Sequence, residues 1–135
     1  MNTYVELLKQ KKLTVTPQRL EIVSILSSKG HLSIEELYKL LSVNFPSISL
    51  ATVYKNIHTM LEKVFLSEVQ IPNKKNVYEL LKEEHSHLVC SSCNQIIDIK
   101  IDIQNLLKEA ETKSDFRLES SSIVFNGVCS TCQEA

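Results

Sequence analysis

Two imidazoles and two thiols fall within nine residues at His85-Ser86-His87-Leu88-Val89-Cys90-Ser91-Ser92-Cys93, and a second thiol pair, Cys129-Ser130-Thr131-Cys132, follows after 35 intervening residues. All four cysteines of this 135-residue chain therefore lie in C-x-x-C pairs. Each pair spans one knuckle, and four thiolates about 2.3 Å from a common centre complete a closed tetrahedron, the arrangement of a structural zinc. Such a zinc has no open position and acts as a staple. Its apparent binding energy, about 10–16 kcal/mol, is comparable with the whole stability of a small domain. Cys90, Cys93, Cys129 and Cys132 are the expected ligands. A redox C-x-x-C is the competing reading, but a thioredoxin-like motif needs a single pair, at a helix start after a strand.

The histidines need a different task. His85 and His87 are two apart and project to one side of an extended segment, with the carboxylates of Glu79 and Asp98 nearby in sequence. Nitrogen and oxygen ligands without sulfur suit Fe(II), Mn(II) or Zn(II), and an incompletely filled sphere leaves the metal exchangeable and reactive. Histidine pairs of this spacing also occur on plain surfaces, so spacing alone leaves this second site open.

These residues have to be positioned by a chain that is 43% hydrophobic, with two Gly, three Pro and no Trp, a composition that supports a packed core. No apolar run is long enough to span a membrane, and the first residues, Met1-Asn2-Thr3-Tyr4-Val5-Glu6, lack a basic-then-apolar signal pattern. The expected location is the cytoplasm, where cysteines serve metal or redox chemistry rather than structural disulfides. The net charge of −1 divides unevenly: residues 1–79 hold ten Lys or Arg against seven Asp or Glu, and residues 80–135 hold five against nine. The first part can approach a polyanion that the second would repel.

Apolar periodicity and caps predict four helices in the first part. They are residues 3–12 with Tyr4, Leu7 and Leu8 on one face; a helix capped by Thr16 with Pro17 at its first position and stopped by Gly30; a capping box at Ser33-Ile34-Glu35-Glu36 that opens a helix burying Ile34, Leu37, Tyr38 and Leu41; and a helix begun at Ser49. The last carries Leu50, Val53, Ile57, Met60 and Leu61 on one side and Ala51, Thr52, Lys55, Asn56 and Thr59 on the other. That small, polar face suits a major groove, with Ser49 and Thr52 near the positive helix N-terminus facing phosphate. Strands at Phe65–Ile71 and Val77–Leu80 flank a tip bearing Lys74 and Lys75, a wing whose lysines would touch the DNA backbone. Residues 81–84 read as a linker. Beyond it, strands at Leu88–Cys90, Ile96–Ile101 and Phe116–Val128 and a helix at Ile103–Lys113 form an α/β module of about 50 residues, too small to bury its own apolar face. Dimerisation would cover that face. The fold class is α+β: a winged helix-turn-helix domain over 1–80 and a zinc-stabilised α/β dimerisation domain over 85–135.

Thr16-Pro17-Gln18-Arg19, His31, Ser49-Leu50-Ala51-Thr52-Val53-Tyr54-Lys55-Asn56, His85-x-His87-x-x-Cys90-x-x-Cys93 and Cys129-x-x-Cys132, in this order and spacing, resemble the ferric uptake regulator superfamily and, within it, the peroxide-responsive regulators. The resemblance covers nearly the whole chain. It implies a homodimeric, metal-dependent repressor of double-stranded operator DNA, not an enzyme. It also implies a regulatory Fe(II) or Mn(II) bound by His31, Glu79, His85, His87 and Asp98, with His31 and His85 the imidazoles open to metal-catalysed oxidation by hydrogen peroxide. Arg19, Ser49, Thr52, Tyr54, Lys55, Lys74 and Lys75 would lie at the DNA. Asp98 is similar to the peroxide regulators, whereas Glu79 is similar to the iron-uptake regulators. Ser86 and Ser120 to Ser122 lack the groups of the latter's third metal site. Val64 stands where the family usually has Gly, so the turn into the wing is expected to differ, and His58 is assigned to the helix surface. An iron-responsive regulator, a zinc-responsive one, and a thiol-disulfide oxidoreductase or zinc hydrolase are the alternatives. The last two leave residues 1–79 without a task.

Overall fold

The computed structural model describes residues 2–134, in two compact units, Met1–Lys82 and Glu83–Ala135. The first contains α1 (Asn2–Gln10), α2 (Pro17–Lys29), α3 (Ile34–Asn44), α4 (Leu50–Glu62) and a hairpin of β1 (Leu66–Val69) and β2 (Val77–Leu80). The second contains β3 (Ser86–Cys90), β4 (Ile96–Ile99), α5 (Gln104–Ser114), β5 (Val124–Gly127) and α6 (Ser130–Gln133). No helix among the described residues is long and apolar enough to cross a membrane.

Local chemistry sets the helix starts. Thr16 Oγ1 accepts the Arg19 N–H, Ser49 Oγ accepts the Thr52 N–H, and Ser33 and Glu36 complete the capping box. Gly30 ends α2 at φ 87°, with its N–H bonded to the Leu26 carbonyl. The apolar stripes then meet in one core of Leu8, Ile22, Val23, Leu26, Leu37, Leu41, Val53, Ile57 and Met60, each no more than 2% exposed. Leu50 departs from its stripe: at the first position of α4 its side chain projects beyond the packed layer and is exposed. The hairpin pairs Leu66 with Leu80 and Val69 with Val77, so β1 is shorter than the expected Phe65–Ile71. Between them, the Tyr78 hydroxyl donates to the Glu68 carboxylate across the ladder at 2.7 Å. Burial, and then this bond, push the phenol's pKa up and keep it a neutral donor.

In the second unit β3 is the central strand, antiparallel to β4 and parallel to β5. The long strand expected at Phe116–Val128 shrinks to Val124–Gly127. The N–H groups of Phe116 and Leu118 bond instead to the Ser114 hydroxyl and the Glu111 carboxylate, so side chains of α5 take the donors that a ladder would have used. The short α6 was not expected. Among the described residues the buried side chains of this unit are Ser86, His87, Val89 and Cys90, and α5 buries none. Ile97, Ile101, Leu106, Phe116, Phe125 and Val128 are all exposed.

The turn into the wing corrects the expectation for Val64. The Phe65 N–H bonds to the Met60 carbonyl and the Val64 N–H to the Leu61 carbonyl, a complete Schellman cap with Val64 held at φ 57°. A β-branched residue in the left-handed region costs about 1–2 kcal/mol, which glycine would not incur. Because Val64 is 54% exposed, little packing is lost on truncation. Val64→Gly is therefore expected to stabilise the protein by about 1 kcal/mol, raising Tm by about 3–6 °C in calorimetry. An unchanged or lower Tm would show that the left-handed cap carries no strain.

Candidate metal centres and nucleic-acid face

The sulfur cluster is built by sheet pairing. Cys90 closes β3 and pairs with Gly127 of β5, which brings Cys129, two residues on, to the end of the same strand. Asn94, at φ 65°, turns the chain so that its N–H returns to the Cys90 carbonyl, folding Cys93 back over Cys90. One sulfur from each of Cys90, Cys93, Cys129 and Cys132 lies within 4.8 Å of all the others. Cys93 and Cys129 are 3.9 Å apart, far from disulfide length and close to the separation of about 3.8 Å that a tetrahedron with 2.3 Å metal–sulfur bonds requires. Cys90 Sγ accepts the N–H groups of Cys129 and Cys93, both at 3.4 Å. These bonds lower its pKa to about 6, with that from Cys129 the larger cause, while hydrogen bonding with Cys129 and then Cys90 raises that of Cys132 to about 12. Within the cluster the Cys90 thiol is thus the more readily ionised and the Cys132 thiol the less. Four such sulfurs fit zinc.

The nitrogen and oxygen donors form one group in each unit. In the first, Leu32 and Tyr78 exchange both backbone hydrogen bonds, at 2.8 and 3.2 Å. An antiparallel bridge at 32 and 78 sets residue 31 opposite residue 79, and His31 Nε2 lies 2.8 Å from Glu79 Oε2. Glu79 is 2% exposed; its other oxygen accepts the Ser67 hydroxyl at 3.3 Å, from the opposing residue of β1. No sequence signal announced the Leu32 bridge, which is why the position of His31 was not derivable from local pattern.

In the second unit His87 of β3 and Asp98 of β4 are register partners, so His87 Nε2 and Asp98 Oδ1 come within 3.4 Å. His85, two residues earlier, turns its Nε2 to within 3.0 Å of His87 Nε2 and 3.6 Å of Asp98 Oδ1. His85 Nδ1 lies 2.7 Å from the Glu83 carbonyl. A carbonyl only accepts, so Nδ1 carries the proton and the Nε2 lone pair faces the cluster, the tautomer control usual for metal-binding histidine. Ser121 joins His85 in lining a shallow cavity and brings no imidazole to it.

On α4, Tyr54 and Lys55 are exposed, as are Ser49 and Thr52 at its start, where the two hydroxyls bond to each other at 2.9 Å. Arg19 is turned inward: Nε donates to Asn56 Oδ1 at 3.1 Å and Nη1 to the Thr14 carbonyl at 2.9 Å, tying α2 to α4. Lys74 and Lys75 are exposed between β1 and β2, with Lys75 3.5 Å from Glu35. His58 is exposed and pairs with Glu62 one helical turn on, as expected for helix surface.

The model of the ferric uptake regulator family matches residues 10–126. The chain belongs to that family. Its members are metal-dependent transcriptional regulators rather than enzymes. A peroxide-responsive repressor of Staphylococcus aureus is 30% identical over 129 residues, 94% of this chain and 87% of that protein. Two solved structures are each 34% identical. One is the Vibrio cholerae ferric uptake regulator, with TM-score 0.74 and coverage of 92% of this chain and 98% of that one. The other is the Campylobacter jejuni peroxide stress regulator, with TM-score 0.72 and coverage of 95% and 98%. These two structures, one an iron-uptake and one a peroxide regulator, are equally similar to this chain by identity. The fold of a helical N-terminal domain and a small C-terminal sheet domain is that of the ferric uptake regulators.

Cys90→Ser leaves three thiolates and is expected to release zinc and unfold the second unit, a loss of several kcal/mol. His85→Ala should hold as much zinc as the parent protein. Metal analysis after gel filtration and circular dichroism separate the outcomes: a folded, zinc-free C90S protein would overturn the sulfur assignment, and zinc loss from H85A would move His85 into it.

Proposed function

We propose that this protein is a cytoplasmic, homodimeric repressor whose residues 1–80 bind double-stranded operator DNA and whose residues 85–135 form the dimerisation domain, joined by residues 81–84. The observation that carries the reading is the sorting of donors: one complete set of four sulfurs beside two incomplete sulfur-free sets, one in each unit. A complete set keeps its metal, and an incomplete one exchanges it. Zn(II) belongs with Cys90, Cys93, Cys129 and Cys132. A regulatory Fe(II) or Mn(II) would take His31 and Glu79 from one unit and His85, His87 and Asp98 from the other. A metal that required donors of both sets would make operator binding depend on metal. The exposed apolar face of the second unit gives the partner subunit something to cover.

At the DNA, Ser49, Thr52, Tyr54 and Lys55 present donors from α4, while Lys74 and Lys75 meet phosphates from the wing. Arg19 acts there partly by fixing Asn56. Peroxide is the proposed signal because Asp98 is similar to the peroxide regulators and because the S. aureus relative is named for that response. When bound, Fe(II) would supply the redox chemistry that splits the O–O bond, with the imidazole as the net two-electron reductant. The net change converts the ring C–H of His31 or His85 and one hydrogen peroxide into an imidazolone and water. An imidazolone keeps protons on both nitrogens and offers no basic lone pair, so a ligand is lost and repression ends. Glu79 and the Vibrio cholerae relative support the second reading, an iron-responsive repressor.

Mass spectrometry of the Fe(II)-loaded protein after stoichiometric peroxide tests the choice. One added oxygen on a peptide containing His31 or His85, with loss of operator binding, is expected, and the Mn(II) form should bind DNA and remain unmodified. Iron-dependent DNA binding without added oxygen would reject peroxide sensing in favour of iron.

A further inference from the structure

We infer that Lys82 is a built-in counter-cation of Glu79, competing with a divalent metal for that carboxylate and thereby setting the metal concentration at which the regulatory site fills. The inference rests on the ligand role proposed for Glu79. A carboxylate only 2% exposed needs positive charge or donors nearby to remain ionised. Ser67 supplies a donor to Oε1. Lys82 supplies charge: its Nζ is 3.9 Å from Oε2, the same oxygen that His31 approaches at 2.8 Å. Lys82 thus addresses the oxygen that faces the imidazole, where a metal held by both residues would bind.

An ammonium has no lone pair and cannot join a coordination sphere, so it can only oppose the ion that does. A dication on Glu79 would stand within a few ångströms of a monocation, and their repulsion weakens metal binding unless the lysine moves away. Its side chain is 46% exposed on a flexible stem, so it can swing into solvent. The opposition is therefore moderate and sensitive to salt, a threshold rather than a block. Lys75 and Lys100 differ in this respect: their carboxylate partners, Glu35 and Glu83, are not candidate ligands.

The test is Mn(II) titration of the zinc-loaded full chain, with free Mn(II) followed by electron paramagnetic resonance. Lys82→Gln is expected to bind Mn(II) about three- to tenfold more tightly, and Lys82→Arg to stay within about twofold of the parent. The gap should narrow as ionic strength rises from about 0.05 to about 0.5 M. A second readout has opposite signs in the two states: without Mn(II), K82Q should melt below the parent, whereas the rise in Tm on adding Mn(II) should be larger. Equal or weaker Mn(II) binding by K82Q, with Glu79→Gln weakening it as a ligand mutant must, would overturn the role of Lys82 alone. If Glu79→Gln leaves Mn(II) affinity unchanged, the regulatory-site reading falls and this inference with it.

Discussion

Backbone pairing of β3 with neighbours on both sides determines where nearly every metal-binding group of the second unit can be. Side chains alternate along an extended strand, so residues an even number apart share a face and residues an odd number apart do not. His85 and His87 fall on one side, and Cys90, three residues on, falls on the other. Register then fixes partners for each side: Asp98 opposite His87 on β4, and Gly127 opposite Cys90 on β5, with Cys129 just beyond. A slip of one residue would put an isoleucine opposite His87 and misplace Cys129 together. Both candidate metal-binding groups therefore depend on the same few backbone hydrogen bonds.

That dependence falls on the unit least able to hold itself. The first unit has a continuous core of leucine, isoleucine, valine and methionine from four helices, so the geometry of His31 and Glu79 sits on conventional packing. Among the described residues the second buries mainly Val89 and Cys90 of its apolar side chains, and its helix α5 buries none fully. With so little area removed from water, hydrophobic burial cannot offset the conformational entropy of ordering some 50 residues. A metal across the four sulfurs, or cover over exposed Ile97, Leu106 and Phe125, is what such a unit would need in addition.

What could be read from the sequence follows from the range of the interactions involved. Caps and stripes are local, so Thr16, Ser33 and Ser49 marked three helix starts, and Cys spacing marked a cluster whose four members do converge. Non-local pairing left weaker traces. Leu32 bridges Tyr78 across 46 positions, and nothing near residue 31 distinguishes it from a loop; only the family resemblance singled out His31. A strand was expected from Phe116 onward, yet α5 side chains capture the N–H groups of Phe116 and Leu118. Val64 shows the opposite case, in which a poor local fit is overridden because Phe65 and Leu66 must enter the core immediately after α4.

The two metal-binding groups also differ in the order in which they can form. Zinc binds nitrogen and oxygen donors more tightly than Mn(II) or Fe(II) does, so ligand affinity alone would not keep it out of the regulatory group. Sulfur changes the competition, because the N–H groups of Cys129 and Cys93 favour the Cys90 thiolate and the knuckle is closed by backbone bonds within a few residues. A metal there would tie β3, the central strand whose ladder with β4 sets His87 opposite Asp98, to the chain just beyond β5. His85 and His87 lie on the opposite side of the strand from Cys90, so a change at either imidazole need not disturb the backbone bonds that seat the sulfurs.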